Sequence, residues 1–152
     1  MDTPARRRFI SVLAGLVATP LLSRREARAA IESLAPVIKK ITGGAPLREG
    51  RVHLEMPRLA DNGHSVPLRV LVESPMTAAD HVRSITLLSE RNPRPLMATY
   101  HLGPKAGRAE VTTRVRLNGT QRVLAVAHLS DGSYWSGTAE VEVTESACLD
   151  MG

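Results

Sequence analysis

The sequence predicts an all-β protein, an antiparallel sandwich of about seven short strands with one short helix ahead of it. Three observations carry that prediction. From Arg51 onward apolar residues recur every second position in run after run. The segments between the runs are rich in Gly, Pro, Asn and Asp. No stretch between them has the 3.6-residue period that a crossover helix needs.

The first segment is a leader. Arg6-Arg7-Arg8 precedes an apolar stretch, Phe9–Leu22, and Ala27-Arg28-Ala29 offers small residues to a signal peptidase. The stretch falls short of the roughly 20 apolar residues that span a bilayer, and Pro20 interrupts it. Residues 1–29 therefore read as a signal peptide, with no stable membrane anchor. Arg6 and Arg7, followed by one residue and then Phe9-Ile10, resemble a twin-arginine export signal, the kind that carries folded proteins.

The working chain, 30–144 plus a tail over 145–152, follows. Leu34, Val37, Ile38 and Ile41 continue a helical spacing begun at Ile31. Lys39-Lys40 suit a helix C-terminus, Gly43-Gly44 ends the pattern, and Pro36 fits a first turn. Strands are expected at Val52–Met56, Val66–Glu73, Val82–Leu88, Leu96–Leu102, Val111–Leu117, Arg122–Leu129 and Trp135–Val143. The sixth is apolar on both faces. Asn118-Gly119 and Asp131-Gly132 each suit a type I′ hairpin turn between the runs they join. These proportions are immunoglobulin-like, without the Cys…Trp…Cys signature of antibody domains.

Composition excludes several functions. Of the 20 Lys and Arg, six lie in the leader, so the +5 net charge belongs mainly to it. Residues 30–152 carry 14 basic and 13 acidic side chains. That is no footprint for nucleic acid. Three aromatic side chains outside the leader, Tyr100, Tyr134 and Trp135, make no base-stacking platform. His53, His64, His81, His101 and His128 show no metal-ligand spacing, and Ser130-Asp131-Gly132-Ser133 beside His128 reads as a turn, not as a hydrolytic triad. No phosphate loop or nucleophile elbow occurs. No residue is assigned a catalytic or metal-binding role, and the chain reads as a non-enzyme.

Cys148 remains, the one cysteine of the chain. With Val143 as the last residue in the sheet, a five-residue step places the sulfur up to ~16–18 Å beyond it. Glu145 and Asp150 flank it, and negative charge disfavours the thiolate. Such a thiol is a poor independent nucleophile and suits a passive attachment point activated inside a partner. An incidental tail cysteine and an intermolecular disulfide stay open on this reading.

From Asp61 onward the chain resembles the SoxY family, the sulfur-carrier subunits of the thiosulfate-oxidising multienzyme system. The resemblance lies in Asn62-Gly63 with Val66-Pro67, Glu73-Ser74-Pro75-Met76-Thr77, Asn92-Pro93 with Pro95, and Ala106-Gly107-Arg108-Ala109. It continues in Thr113-Arg114-Val115-Arg116-Leu117, Ser130-Asp131-Gly132-Ser133-Tyr134-Trp135 and Glu140-Val141-Glu142-Val143-Thr144. It implies an immunoglobulin-like sandwich paired with a SoxZ subunit in the periplasm. It implies that Cys148 holds thiosulfate-derived groups covalently, with no other cofactor. It also implies transient visits to a haem-containing conjugating enzyme and a sulfate-releasing hydrolase. The carrier arm departs from the pattern. Family carriers end Gly-Gly-Cys-Gly-Gly, whereas Ser146, Ala147, Leu149 and Asp150 surround Cys148 here. Ala147 and Leu149 add β-carbons beside the sulfur, and Asp150 adds a carboxylate. The alternative is an interaction module of the same family with lost or altered carrier chemistry, serving a different periplasmic oxidoreductase.

Overall fold

The computed structural model describes residues 32–145. The leader with Arg6 and Arg7, and the arm with Ser146, Ala147, Cys148, Leu149 and Asp150, lie outside the described residues. Helix α1 (Ala35–Thr42) has its proline in the first turn, Lys39 and Lys40 in the last, and Gly43 in the left-handed region as C-cap. Its apolar stripe explains its position: Leu34 and Ile38 bury themselves on Leu88, Leu124 and Val126, with Val37 and Ile41 alongside.

Nine strands follow: β1 (Leu47–Glu49), β2 (Val52–Glu55), β3 (Leu59–Asn62), β4 (Val66–Val72), β5 (Val82–Ser89), β6 (Leu96–His101), β7 (Ala109–Val115), β8 (Gln121–Leu129) and β9 (Tyr134–Glu145). Seven match the expected runs. One sheet has the order β1-β9-β8-β5-β6, with β3 also on β9, and the other is β2-β4-β7. The alternation of β4 buries Val66, Leu68, Val70 and Val72 against Ile85, Leu87, Val123, Ala125 and Val141 of the facing sheet. Strand β8 is buried on both faces because Val123, Ala125, Ala127 and Leu129 line the core while Leu124 and Val126 lie under α1. Five of its side chains in a row, Val123–Ala127, are buried.

The two added strands, β1 and β3, correct the purely antiparallel expectation. Both pair with β9 in parallel, Arg48 opposite Trp135 and Ala60 opposite Val143. Strand β9 is 12 residues long, and its outer edge is covered near each end by a short strand. Between those ends β2 crosses close to it. A β-carbon on Gly137 would stand 2.2 Å from the Val52 carbonyl oxygen, so only glycine fits there.

Both turn assignments are also corrected. A type I′ turn needs positive φ at both central residues. Gly119 and Gly132 have it, at 75° and 83°, but Asn118 and Asp131 do not. Asn118-Gly119 joins no hairpin at all: β7 pairs with β4 and β8 with β5 and β9, so the chain changes sheets there. Asp131-Gly132 does close a hairpin, of another kind. The Gly132 N–H donates to the Leu129 carbonyl at 3.1 Å and the Leu129 N–H to the Ser133 carbonyl at 3.0 Å. That is a type I turn ended by a left-handed glycine, the three-residue loop with a bulge. Asp131 Oδ1 fixes it by accepting from the Ser133 N–H (2.8 Å) and hydroxyl (2.6 Å).

Candidate functional site

The end of β9 comes three residues before Cys148 in the sequence, so its geometry matters most. Three contacts hold it. The Gly63 N–H, just past β3, donates to the Glu145 carbonyl at 2.7 Å. The Thr144 hydroxyl donates to the Asp61 carbonyl. Thr120, just ahead of β8, reaches Val143 twice: its Oγ1 accepts from the Val143 N–H at 2.9 Å and donates to the Val143 carbonyl at 3.4 Å. Sequence patterning places the last held residue at Val143, but the backbone bond to Gly63 extends the hold to Glu145. The step from anchor to sulfur therefore shrinks from five residues to three, a reach of ~10–11 Å.

Around this root lie the loops that end β3, β5 and β7. Asn62 Oδ1 accepts from the His64 N–H at 3.2 Å, which folds that turn back on itself. The Leu117 N–H donates to the Gly63 carbonyl at 2.8 Å, and Asn92 Nδ2 donates to the Arg116 carbonyl at 2.9 Å. Arg91 donates from Nη1 to the Thr120 carbonyl at 2.9 Å. Arg114 and Arg116, which the sequence shows only within the run Thr113–Leu117, thus lie on the segment that leads to the root of the tail. Patterning assigns a residue to a face, and it says nothing of which distant loops share that end of the sheet.

The opposite end of β9 carries the only tryptophan of the chain. Trp135 Nε1 donates to Ser133 Oγ at 3.0 Å, and the guanidinium groups of Arg51 and Arg48 stand 5.1 and 5.6 Å from the ring centroid. These two arginines, with the hydrogen bonds from Ser133, hold the Asp131 carboxyl below its usual range, the hydrogen bonds counting most. Ten residues of extended strand separate this cluster from the tail root, ~33 Å. That span exceeds the ~10–11 Å that three residues beyond Glu145 can cover.

Among the described residues, His128, Ser130 and His53 are each engaged in separate contacts. His128 stacks on Tyr134 with ring centroids 4.4 Å apart, and burial, helped by Arg83, pushes its pKa down against the pull of Asp131. Ser130 is occupied elsewhere, accepting from the His81 N–H at 3.0 Å and donating to the Ala79 carbonyl at 3.2 Å. His53 sits on Glu73 at 2.7 Å. Among the described residues no group of three or more His, Cys, Asp or Glu is placed to hold a metal ion, and no helix is long and apolar enough to cross a membrane.

Comparison with known proteins gives this geometry its context. No curated protein matches the chain. Among solved structures, the sulfur carrier protein SoxY of Chlorobium limicola f thiosulfatophilum is similar at 25% identity and a TM-score of 0.63, over 74% of this chain and 97% of that one. A superoxide reductase (neelaredoxin) of Ignicoccus hospitalis is similar at 21% identity and a TM-score of 0.55, over 62% of this chain and 80% of that one. A putative superoxide reductase of Thermotoga maritima follows at 20% and 0.54, over 66% and 95%. The two reductases share the fold alone. The family model for sulfur oxidation protein SoxY matches residues 38–148, from α1 through Cys148. With most of the chain covered and the sandwich in place, the protein belongs to the SoxY family.

Proposed function

We propose that the protein is a periplasmic sulfur carrier that holds thiosulfate-derived groups on Cys148 and catalyses none of their chemistry. The observation that carries this reading is the extent of the family match, which takes in Cys148 three residues beyond the last anchored position, Glu145. The likeness to the Chlorobium sulfur carrier supports it. Loading joins the thiol to the outer sulfur of thiosulfate. One proton and two electrons leave, the electrons to a haem-containing conjugating partner, and Cys148–S–S–SO₃⁻ forms. A hydrolase then adds water and releases sulfate and two protons, leaving the persulfide Cys148–S–S⁻. The scaffold supplies a fixed origin for a short tether, and partner sites supply the activation that flanking Glu145 and Asp150 withhold. A SoxZ-like subunit completes the carrier, and Arg6 and Arg7 direct export of the folded pair.

The test is thiosulfate oxidation by cells carrying Cys148→Ser. Loss of oxidation with normal protein level is expected, and unchanged oxidation rejects the reading. A second reading, an interaction module with altered chemistry, draws on Ala147, Leu149 and Asp150 standing where the family arm has glycine and its end. It expects stable partner binding and no growth defect when the chain is truncated after Ala147.

A further inference from the structure

The free edges of the two sheets, β6 and β7, meet at the tail end of the sandwich in a cleft of about 410 Å³. Arg94, Arg114 and Arg116 line it, with Asn92, Tyr100 and Leu96, and no carboxylate does. The five ion pairs among the described residues use none of these three guanidinium groups. Arg114 donates from Nε to Ser65 Oγ at 2.8 Å, and Arg116 Nη2 lies 3.5 Å from His64 Nδ1, so among the described residues neither guanidinium is paired with a carboxylate. Leu96, at the rim, is 47% exposed.

We infer that this cleft is the resting seat of the anionic group carried on Cys148: the terminal sulfonate of the loaded tail docks on Arg114 and Arg116, with Arg94 facing it from the other sheet. This rests on the carrier reading and adds to it a binding site on the scaffold itself. Three observations converge. The first is reach. Glu145, Gly63 and Leu117 are joined by successive backbone hydrogen bonds, so the tail root and the residue after Arg116 lie two ladder steps apart, ~10 Å. Three residues beyond Glu145 reach ~10–11 Å, before the lengths of the cysteine side chain and its cargo are added. The second is charge. The loaded group carries a permanent negative charge where the free thiol carries none, and a guanidinium fork matches the oxygens of a sulfonate. The third is selectivity by state. Loading adds a negative charge to a tail that already carries Asp150, so the seated fraction rises when the thiol becomes a sulfonate. Neither sheet supplies the site alone. Arg94 comes from the loop before β6, Arg114 lies in β7, and Arg116 follows β7.

The experiment uses the full chain without its leader. Treatment with tetrathionate loads it chemically: the Cys148 thiolate displaces thiosulfate and leaves Cys148–S–S–SO₃⁻. Methyl methanethiosulfonate makes the neutral control, Cys148–S–S–CH₃, with methanesulfinate leaving. Intact mass verifies both. Arginine Nε–H signals are then compared by nitrogen-15 NMR. The expected result is that Arg114 and Arg116 signals move on charged loading and stay in place with the neutral adduct. The movement disappears in 1 M NaCl, where the Debye length is ~3 Å. Combined Arg114→Gln and Arg116→Gln removes the corresponding loading-induced shifts of the neighbouring backbone amides, and Arg108→Gln, outside the cleft, preserves them. Identical spectra for the two adducts overturn the inference. So does free thiosulfate moving the same signals equally in Cys148→Ser protein, which makes the cleft an untethered anion site. The salt and neutral-adduct comparisons need only the wild-type chain, so a misfolded variant does not blunt the test. Because loading here requires no partner enzyme, a negative spectrum rejects the seat and leaves the carrier reading standing. Normal thiosulfate oxidation by Cys148→Ser cells rejects the carrier reading whatever the spectrum shows.

Discussion

Replacing Gly137 by alanine tests how β9 is held against the second sheet. The added β-carbon would lie 2.2 Å from the Val52 carbonyl oxygen, 3.0 Å from its carbon and 3.2 Å from Val52 Cγ1. Ordinary contact begins near 3.4 Å, so β2 and β9 must part by about 1.2 Å at their crossing. The two nearest opposing atoms are backbone, tied into β2 by the Val52–Val72 pair, and no rotamer change relieves them. Overpacking of a fixed neighbour costs about 3 kcal/mol at the upper end of the usual range. Loss of glycine's freedom in the unfolded chain offsets ~0.4–1 kcal/mol of that. The net expectation is a destabilisation of about 2–3 kcal/mol, or roughly 10 °C in Tm for a domain of this size. Urea unfolding followed by the fluorescence of Trp135 reads it as a lower midpoint with an unchanged slope. Thr138→Ala, one residue along, serves as the control and should stay within about 0.5 kcal/mol. A Gly137→Ala protein as stable as that control would refute the close crossing and with it the placement of β2 against β9.

Three further outcomes are expected. His128 is held below its ordinary pKa of 6.5, so below that value the unfolded chain takes up a proton that the folded chain refuses. Stability contributed by neutral His128 is therefore complete above pH 6.5 and falls as the pH drops through the lowered folded pKa; His128→Phe, which keeps a ring on Tyr134, flattens that part of the stability curve. Thr120→Val removes both hydrogen bonds to Val143, which costs about 1–2 kcal/mol and raises amide exchange at Val143 about tenfold with less change in β5. Leu124→Ala opens the contact between β8 and α1 and destabilises by about 2–4 kcal/mol, read in thermal unfolding.

Much of this architecture is legible in the residues alone, for a local reason. Strand β4 shows its four buried positions as a plain alternation, and the two-faced burial of β8 shows as an unbroken apolar run. Strands β1 and β3 leave no such trace. They are three and four residues long, mostly exposed, and exist because the backbone edge of β9 accepts them. The Asn118-Gly119 turn shows why partner choice is harder than turn choice: the dipeptide bends the chain, while the sheet each flanking strand joins depends on β4 and β5, far away in sequence. The site divides in the same way. Cys148 stands out by position and by being the sole cysteine. The arginine cleft is invisible from sequence, since Arg94 and Arg116 come together only where the start of β6 lies beside the end of β7.

Cys148 as a covalent sulfur carrier is the central claim, and intact mass of the native protein from thiosulfate-grown cells tests it most directly. The account predicts a mass increment that reductant removes, that maps to the peptide containing Cys148, and that is absent from Cys148→Ser protein. A single mass, equal with and without reductant and matching the unmodified chain under active thiosulfate oxidation, would contradict it.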